Sequence, residues 1–323
     1  MRKIAVLSLW AGCLVVLLSP SAVGAMQIAP PHVLATVPVG EGPSGMAVNP
    51  LTSRTYVANF REDTISVIDE AAKTVVTVSV GSGPAAVGVN VATNRIYVAN
   101  QNGGVTVIDG ASNHVLGTIP MSGLPDGVAV NPNTNTIYVT NFLANMVSVI
   151  DGSTNQVVDT IPVGAAPLGI AANPETNRVY AASVDGDSVS VIDGSTNTVL
   201  TTVFGVGSDP SSIAVNVTHN KVYVAARASN QLYEIDGATS LVVGHVSVGT
   251  YPTGVGVSEA TGRVYVANQL TNDVTVVRGR PLQVLGSIPV GATPTDAEVD
   301  PTTGLAFASN QDGATVSVIG PNA

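Results

Sequence analysis

Short apolar segments, separated by turn-forming residues, run along almost the whole chain. They form units that open on a Gly-x-x-Pro turn, with Ser122 once in place of the glycine, and that repeat every 41 to 43 residues. Each unit then carries an aromatic-led apolar segment, and most add a β-branched run such as residues 105–108. The prolines that mark the seven units are Pro43, Pro84, Pro125, Pro167, Pro210, Pro252 and Pro294.

The length of the repeat predicts the kind of unit that it encodes. Four strands of about five to seven residues, joined by four short turns, fill about 42 residues. The helical period of about 3.6 residues is not present, which argues against a helical repeat. Each unit is therefore predicted to be one four-stranded blade of a β-propeller. The expected fold class is all-β: residues 26–323 form one domain, a propeller of seven antiparallel blades.

The ends of the repeat array predict how the ring of blades closes. The seventh unit ends at Ile319, one strand short of a complete blade, while segment 32–38 repeats the pattern of segment 114–120, a fourth strand. The N-terminal strand is therefore expected to complete the last blade, which leaves no unpaired seam between the first and last blades. The apolar side chains that this strand is expected to bury are Val33, Leu34, Val37 and Val39.

A four-residue sequence recurs in the second strand of the units. Tyr138-Val139-Thr140-Asn141 is the signature of the YVTN repeats, and three units carry the variant Tyr-Val-Ala-Asn. Over about residues 33–319 the chain resembles the YVTN-repeat seven-bladed β-propellers, bacterial and archaeal proteins that are exported or of surface-layer type. The resemblance implies the fold but leaves the function open. Related propellers serve as surface-layer proteins, periplasmic binding proteins and, more distantly, lactonases and quinoprotein subunits.

The first 25 residues have the pattern of an export signal. Arg2 and Lys3 precede an almost wholly apolar segment, residues 4–18, and the small residues 23–25 offer a cleavage site. We expect residues 1–25 to be removed and the protein to be periplasmic, secreted or at the cell surface. The single cysteine, Cys13, would leave with the signal, which excludes disulfides and thiol catalysis. Beyond it no apolar run approaches the roughly 18 residues of a membrane span.

The charge balance narrows the choice of partners. The sequence has 12 Lys and Arg residues against 22 Asp and Glu residues, a net charge of −10. This excess of negative charge argues against duplex nucleic acid as a partner. Single-stranded nucleic acid would need a basic groove with stacking aromatic side chains, which the charge pattern also disfavours.

The loops of one rim carry most of the candidate binding residues. In a propeller blade the Gly-x-x-Pro loops and the loops between the second and third strands lie on the same rim, which we call the loop rim. Ten acidic residues fall on it, against two arginines, so we expect it to attract cations or basic partners. Tyr and Arg side chains are typical anchors of recognition surfaces. The candidate binding residues are Arg61, Asp126, Asp185, Asp187, Arg227 and Tyr251.

The seventh unit departs from the others along its innermost strand. The first six units place mostly small residues on one face, such as Gly45 and Ala47, whereas the seventh has Asp296, Glu298 and Asp300. Asp300 precedes a proline and is interpreted as a turn residue. Asp296 and Glu298 share one strand face near the axis, where they repel unless a cation or a shared proton intervenes. They are the candidate metal ligands, with a divalent cation such as Ca²⁺ as candidate cofactor, unless a wide channel solvates both.

Two hypotheses for the function follow from these features. The first is an exported, non-enzymatic binding or interaction scaffold, monomeric, which takes a protein or a small molecule at the loop rim. The alternative is a lactonase-like hydrolase that uses a metal ion or a water molecule in the axial channel. Asp296 and Glu298 support the alternative, because catalytic chemistry of this kind needs a metal site or an acid–base pair.

Overall fold

The protein folds into a ring of β-sheets around a central axis. The computed structural model describes residues 31–71 and 73–320. Over these residues 28 strands form seven sheets of four antiparallel strands, which confirms the predicted all-β fold and the seven-bladed propeller. The described chain contains no helix that is long and apolar enough to cross a membrane. The predicted signal peptide, residues 1–25, lies outside the described residues.

The strands follow one another outwards from the axis in each of the first six blades. Blade 1 consists of β2 (Pro43–Asn49), β3 (Arg54–Asn59), β4 (Thr64–Asp69) and β5 (Thr74–Ser79). Blade 2 consists of β6 (Pro84–Asn90), β7 (Arg95–Asn100), β8 (Gly104–Asp109) and β9 (Val115–Ile119). Blade 3 consists of β10 (Pro125–Asn131), β11 (Thr136–Asn141), β12 (Met146–Asp151) and β13 (Gln156–Pro162).

The next three blades repeat this order. Blade 4 consists of β14 (Pro167–Asn173), β15 (Arg178–Ser183), β16 (Ser188–Asp193) and β17 (Thr198–Phe204). Blade 5 consists of β18 (Pro210–Asn216), β19 (Lys221–Ala226), β20 (Gln231–Asp236) and β21 (Leu241–Ser247). Blade 6 consists of β22 (Pro252–Val257), β23 (Arg263–Asn268), β24 (Asp273–Gly279) and β25 (Leu282–Pro289).

Blade 7 joins the two ends of the chain. It consists of β26 (Pro294–Val299), β27 (Ala306–Asn310), β28 (Thr315–Gly320) and, as the outermost strand, β1 (His32–Pro38). Strand β1 pairs antiparallel with β28, with Val37 opposite Val316. The predicted closure of the ring by the N-terminal strand is therefore confirmed.

One detail of the closing strand was predicted wrongly. Val33, Val37 and Val39 are partly buried and pack against core clusters of the last blade. Leu34, in contrast, keeps 47% of its surface exposed. The pairing register shifts between Val33 and Ala35, so Leu34 is the extra residue of a β-bulge and its side chain leaves the packed face.

The hydrophobic core lies between the blades. Seven clusters of buried apolar side chains occur among the described residues, one at each contact between neighbouring blades. Between blades 4 and 5, for example, Tyr180 and Val191 pack with Val222 and Val224. The aromatic ring of the second strand is buried in every blade. These rings belong to Tyr56, Tyr97, Tyr138, Tyr180, Tyr223, Tyr265 and Phe307.

The innermost strands approach one another closely around the axis. A Cβ atom added to Gly254 in blade 6 would lie 2.3 Å from the Cα atom of Asp296 in blade 7. A side chain there would clash with backbone, so glycine is required. In blades 1 to 4 the last residue of the innermost strand is also joined to the turn before the second strand of the next blade by an amide–amide hydrogen bond of 2.7 to 3.0 Å. The bonded pairs are Asn49–Asn94, Asn90–Asn135, Asn131–Asn177 and Asn173–Asn220.

The last residue of the repeated signature holds the loops of the loop rim. In five blades this residue is a buried asparagine whose Nδ2 atom donates to a hydroxyl of the third strand at 2.8 to 3.0 Å. The bond fixes the loop between the second and third strands, so the loop rim rests on a buried polar network. The five residues are Asn59, Asn100, Asn141, Asn268 and Asn310.

Removal of the closing strand is expected to destabilise the ring. A chain that begins at Gly40 exposes the edge of β28 and loses the packing of Val33, Val37 and Val39. A fully buried side chain of this size contributes about 1.5–3 kcal/mol, so three partly buried ones amount to a few kcal/mol of a typical total of about 5–15. Thermal melting and size-exclusion chromatography should show a lower Tm and aggregation. The control begins at Pro31; equal melting of both chains would contradict the closure.

Candidate functional site

The innermost strands and the loops of the loop rim surround a cavity of about 530 Å³, which we call the axial cavity. A cavity of this size lies within the usual range for small-molecule sites, about 300–1,000 Å³. Its wall combines apolar side chains of the innermost strands with charged, amide and aromatic groups near the mouth. The charged and aromatic side chains of the wall are Phe60, Asp126, Arg227, Tyr251, Asp296 and Glu298.

A guanidinium group and an aromatic ring meet at the mouth of the axial cavity. Arg227, just after β19, binds Asp209 through two hydrogen bonds, Nε to Oδ2 at 3.0 Å and Nη2 to Oδ1 at 2.6 Å. Its Cζ atom lies 5.4 Å from the centre of the Tyr251 ring, which is within the range of a cation–π contact. The predicted residues Arg227 and Tyr251 are thus direct neighbours, and Asp209 completes the cluster.

Tyr251 occupies an unfavourable backbone conformation. Its φ is +59°, a left-handed value that bulky residues rarely adopt. The equivalent positions of blades 1 and 2 are Gly42 and Gly83, both with φ of +67°. The backbone N–H of Tyr251 donates to Oδ1 of Asn230 at 2.8 Å, which helps to hold the loop. The same left-handed conformation recurs at this repeat position in the other four blades, so it belongs to the turn before the repeat proline; these residues are Leu124, Ala166, Asp209 and Thr293.

Asp126 lies in the axial cavity and not at a loop tip. It is the second residue of β10, and its Oδ2 atom accepts a hydrogen bond of 2.6 Å from Nε2 of Gln101. Burial raises the pKa of Asp126 to about 6, although the Gln101 hydrogen bond and the charge of Arg227 both oppose the shift. This carboxyl group therefore changes its charge close to neutral pH.

Three predicted residues lie on the loop rim outside the wall of the axial cavity. Arg61 forms an exposed ion pair with Asp312, Nη2 to Oδ1 at 3.0 Å. Asp185 is exposed in the loop between β15 and β16. Asp187, in the same loop, accepts a hydrogen bond from the backbone N–H of Asp209 at 2.8 Å. The asparagines at this repeat position in blades 3, 5 and 6 make the same bond, so Asp187 also ties neighbouring loops together.

The carboxyl group of Asp296 joins the last blade to the first. Its Oδ2 atom accepts a hydrogen bond from the backbone N–H of Met46 at 2.8 Å, and its Oδ1 atom accepts one from the N–H of Ala297 at 2.9 Å. At the same repeat position in blade 5, Ser212 accepts the N–H of Val255 at 3.1 Å. Asp296 is therefore a structural tie across the seam as well as a wall residue of the axial cavity.

Asp296 and Glu298 hold protons more tightly than ordinary carboxylic acids. Burial raises the pKa of Asp296 to about 7, against the opposing effect of its two backbone hydrogen bonds. Burial raises the pKa of Glu298 well above its usual value, and the negative charge of Asp296 adds to this shift. The pair thus favours a state in which at least one group is protonated at neutral pH.

The fit of a divalent cation to this pair is poor. Ca²⁺ takes 6–8 oxygen ligands, and each oxygen of Asp296 already accepts a backbone N–H. The described residues contain no group of three or more His, Cys, Asp or Glu side chains placed to hold a metal ion. Asp300 is buried and accepts bonds from the Thr302 N–H and the Thr303 hydroxyl, both at 2.8 Å, as expected of a turn residue.

Sequence reasoning missed the amide groups at the mouth. Gln101, Gln269 and Gln311 line the axial cavity, and each is the first residue after the second strand of its blade. Phe60 and Arg227 occupy the same repeat position. A comparison of the units at this single position would have drawn attention to the three glutamines, although the same position also holds Phe142 and Val184, which do not line the cavity.

The fold and the cavity together define a seven-bladed β-propeller with an acidic axial cavity that opens at the loop rim. Five of the eight predicted site residues line this cavity, and three remain on the rim around it. No protein-family model matches the chain, and no curated protein matches it.

Neutralising one carboxyl group of the pair is expected to stabilise the protein above neutral pH. Because the pKa of Glu298 is raised in the folded state, the folded state binds more protons than the unfolded state, and stability falls as pH rises above about 4.5. Glu298→Gln removes this penalty. It should raise Tm by about a few degrees at pH 8 and leave it unchanged at pH 4.

The control for Glu298→Gln is the same type of substitution at an exposed glutamate. Glu175, exposed in the turn between β14 and β15, supplies it as Glu175→Gln. Melting curves should be recorded in buffers with chelator, so that no added cation screens the pair. The same Tm change at both pH values for Glu298→Gln would contradict the assigned shift.

Proposed function

We propose that this protein is an exported, non-enzymatic binding scaffold whose ligand docks on the loop rim over the mouth of the axial cavity. The observation that carries the proposal is the cluster of Arg227, Asp209 and Tyr251 at the mouth of the axial cavity. Arginine and tyrosine are enriched in binding hot spots. Side chains of several blades converge there, as in ligand sites that are formed before the ligand binds.

The sequence supports the placement of this scaffold outside the cytoplasm. Residues 1–25 have the pattern of a cleaved export signal. We further infer that the chain belongs with the YVTN-repeat propellers, on the strength of the recurring Tyr-Val-Thr/Ala-Asn sequences and the fold. Exported binding proteins and surface-layer proteins of that family agree with a role in the periplasm or at the cell surface.

A hydrolase of the lactonase type is the second candidate. One observation favours it: two carboxyl groups, Asp296 and Glu298, lie in a cavity and have raised pKa values. Groups with pKa values near the working pH are suited to general acid–base catalysis. A panel of lactones incubated with the mature protein tests this function. Hydrolysis that disappears in Glu298→Gln would replace the scaffold proposal.

Charge on the loop rim is expected to affect partner binding. Asp185→Lys with Asp187→Asn raises the net charge there by three, and the asparagine copies the residue of other blades, so the loop bond is kept. Capture of envelope components by the immobilised protein should fall in this variant. The loss should be largest at low salt, because exposed charges are screened beyond about 10 Å at 0.1 M.

A control variant with the same change in net charge distinguishes the effect of where the charge lies from the effect of the total charge. Glu175→Lys with Asp159→Asn also raises the net charge by three, but at exposed sites away from the loop rim. It should bind the same components as the unmodified protein. Equal losses in the two variants would show that overall charge, and not the loop rim, controls binding.

Substitution of Tyr251 is expected to weaken ligand binding without lowering the stability of the protein. Tyr251→Gly copies the residue of blades 1 and 2, which have similar φ values, and removes the ring beside Arg227. The change should leave Tm unchanged or higher, because strain is relieved, yet weaken ligand capture about tenfold or more. Unchanged capture would remove Tyr251 from the binding surface.

A further inference from the structure

Blade 6 carries a group of basic side chains on the rim opposite the loop rim, where the second strand of a blade begins and the third strand ends. Arg263 is the first residue of β23, Arg278 is the last but one of β24, and Arg280 follows in the turn to β25. Arg278 and Arg280 are exposed, and Arg263 is partly buried. Within residues 31–71 and 73–320, none of these three arginines forms an ion pair.

Arg263 and Arg278 lie directly opposite each other in the antiparallel pair of β23 and β24. Opposite residues of such a pair have Cβ atoms about 4.5–5.5 Å apart on one face of the sheet, so two like charges there repel each other. In four other blades this position pairs a basic residue with an aspartate. These pairs are Arg54–Asp69, Arg95–Asp109, Arg178–Asp193 and Lys221–Asp236. Blade 6 therefore has a second guanidinium group where those blades have a carboxylate.

The other blades show that side chains at these two positions reach each other. In blades 1, 2 and 5 the basic group and the carboxylate form an ion pair with N–O distances of 2.8 to 3.8 Å. The pairing of the second and third strands is unshifted in these blades and in blade 6. An anion between the guanidinium groups of Arg263 and Arg278 would take the place of the missing carboxylate.

The turn after β24 explains the loss of the aspartate but not the gain of an arginine. In blades 2 to 5 the aspartate also accepts a backbone N–H of the following turn, at 2.8 to 3.1 Å. In blade 6, Gly279 pairs with Leu282, so the turn has only two residues between the paired strands. A neutral side chain is compatible with so short a turn, whereas Arg278 adds a charge opposite Arg263.

The polar neighbours of these arginines do not neutralise them. Arg278 donates from Nη2 to Oε1 of Gln283, the residue opposite it on β25, which orients the guanidinium group without removing its charge. Glu259, in the turn between β22 and β23, accepts the backbone N–H groups of Val217 and Thr218 of blade 5 at 2.6 and 3.1 Å. A guanidinium group has five N–H donors, so Arg278 keeps donors for a ligand.

We propose that Arg263 and Arg278, with Arg280 beside them, bind a phosphate group on this rim of blade 6. A phosphate group carries up to two negative charges and has enough oxygen atoms to accept hydrogen bonds from two guanidinium groups at once. A carboxylate has one charge and two oxygens, so it matches this set of arginines less well. The site lies on the rim opposite the proposed ligand surface and does not depend on it.

NMR titration of the mature protein with potassium phosphate at pH 7.5 tests this site, with KCl added to keep the ionic strength constant. The Nε–Hε signals of Arg263 and Arg278 should shift until they saturate, while the signal of Arg95, paired with Asp109, should not. Potassium acetate should bind more weakly than phosphate. Vesicles of phosphatidylglycerol are the second probe, because a lipid headgroup carries the same chemical group.

Three variants show whether the arginines form the site. Arg278→Asp copies the pair of the other blades and should weaken phosphate binding about tenfold or more, with Tm unchanged or higher because the like charges no longer face each other. Arg263→Gln should also weaken binding. Arg95→Gln removes the same charge at the same repeat position of blade 2, and this control should bind phosphate normally.

The outcomes decide both the site and the source of the phosphate group. Binding that is lost in Arg278→Asp supports the proposal: a response to inorganic phosphate indicates a soluble ligand, and a response to the vesicles alone indicates a lipid headgroup. No response to either probe, equal binding of acetate, or binding that persists in Arg278→Asp would overturn it. Such a failure leaves the loop-rim proposal standing, because the loop-rim variants change none of these arginines.

Discussion

Seven strands must pass one another at van der Waals distance around a common axis, and this constraint governs the rest of the molecule. It explains the small residues along the innermost strands, since a Cβ on Gly254 would reach the backbone of the next blade. Because adjacent blades lie so close, their backbone groups and side chains can form hydrogen bonds. The asparagine pairs that join each blade to the next from blade 1 to blade 5 are examples. Farther from the axis, neighbouring blades pack against each other through clusters of buried apolar side chains.

The seam between blades 7 and 1 is where this rule is relaxed. Asp296 and Glu298 stand where other blades have mostly glycine, alanine or serine. Asp296 forms a structural hydrogen bond there, because its carboxyl group accepts the backbone N–H of Met46 in blade 1. Among the described residues Glu298 makes no such bond across the seam, and it lines the axial cavity. The two residues of the pair therefore differ: Asp296 bonds the last blade to the first, and Glu298 lines the axial cavity.

Residues that recur in most blades and residues that occur once have different places in the structure. Residues that recur hold the frame: the buried asparagines support the loop rim, and Asp187 acts as the asparagines of other blades do. Residues that occur once converge on the axial cavity, as Arg227 and Tyr251 do. Because the blades are alike in backbone, a single exceptional side chain changes the shared cavity without disturbing the ring.

The sequence alone predicted the number of blades, the strand order and the closing strand. The prediction came from the repeat spacing, the turn prolines and the aromatic positions. It succeeded because blade number and strand order depend on local patterns and on the burial of one face. The same patterns indicated Asp296 and Glu298 as exceptions. They placed Asp126 on the rim, and they gave no sign that Asp296 bonds to Met46, 250 residues away. Only the closed ring decides which side chains share one cavity and which carboxyl groups line it, because those contacts join blades that are distant in the chain.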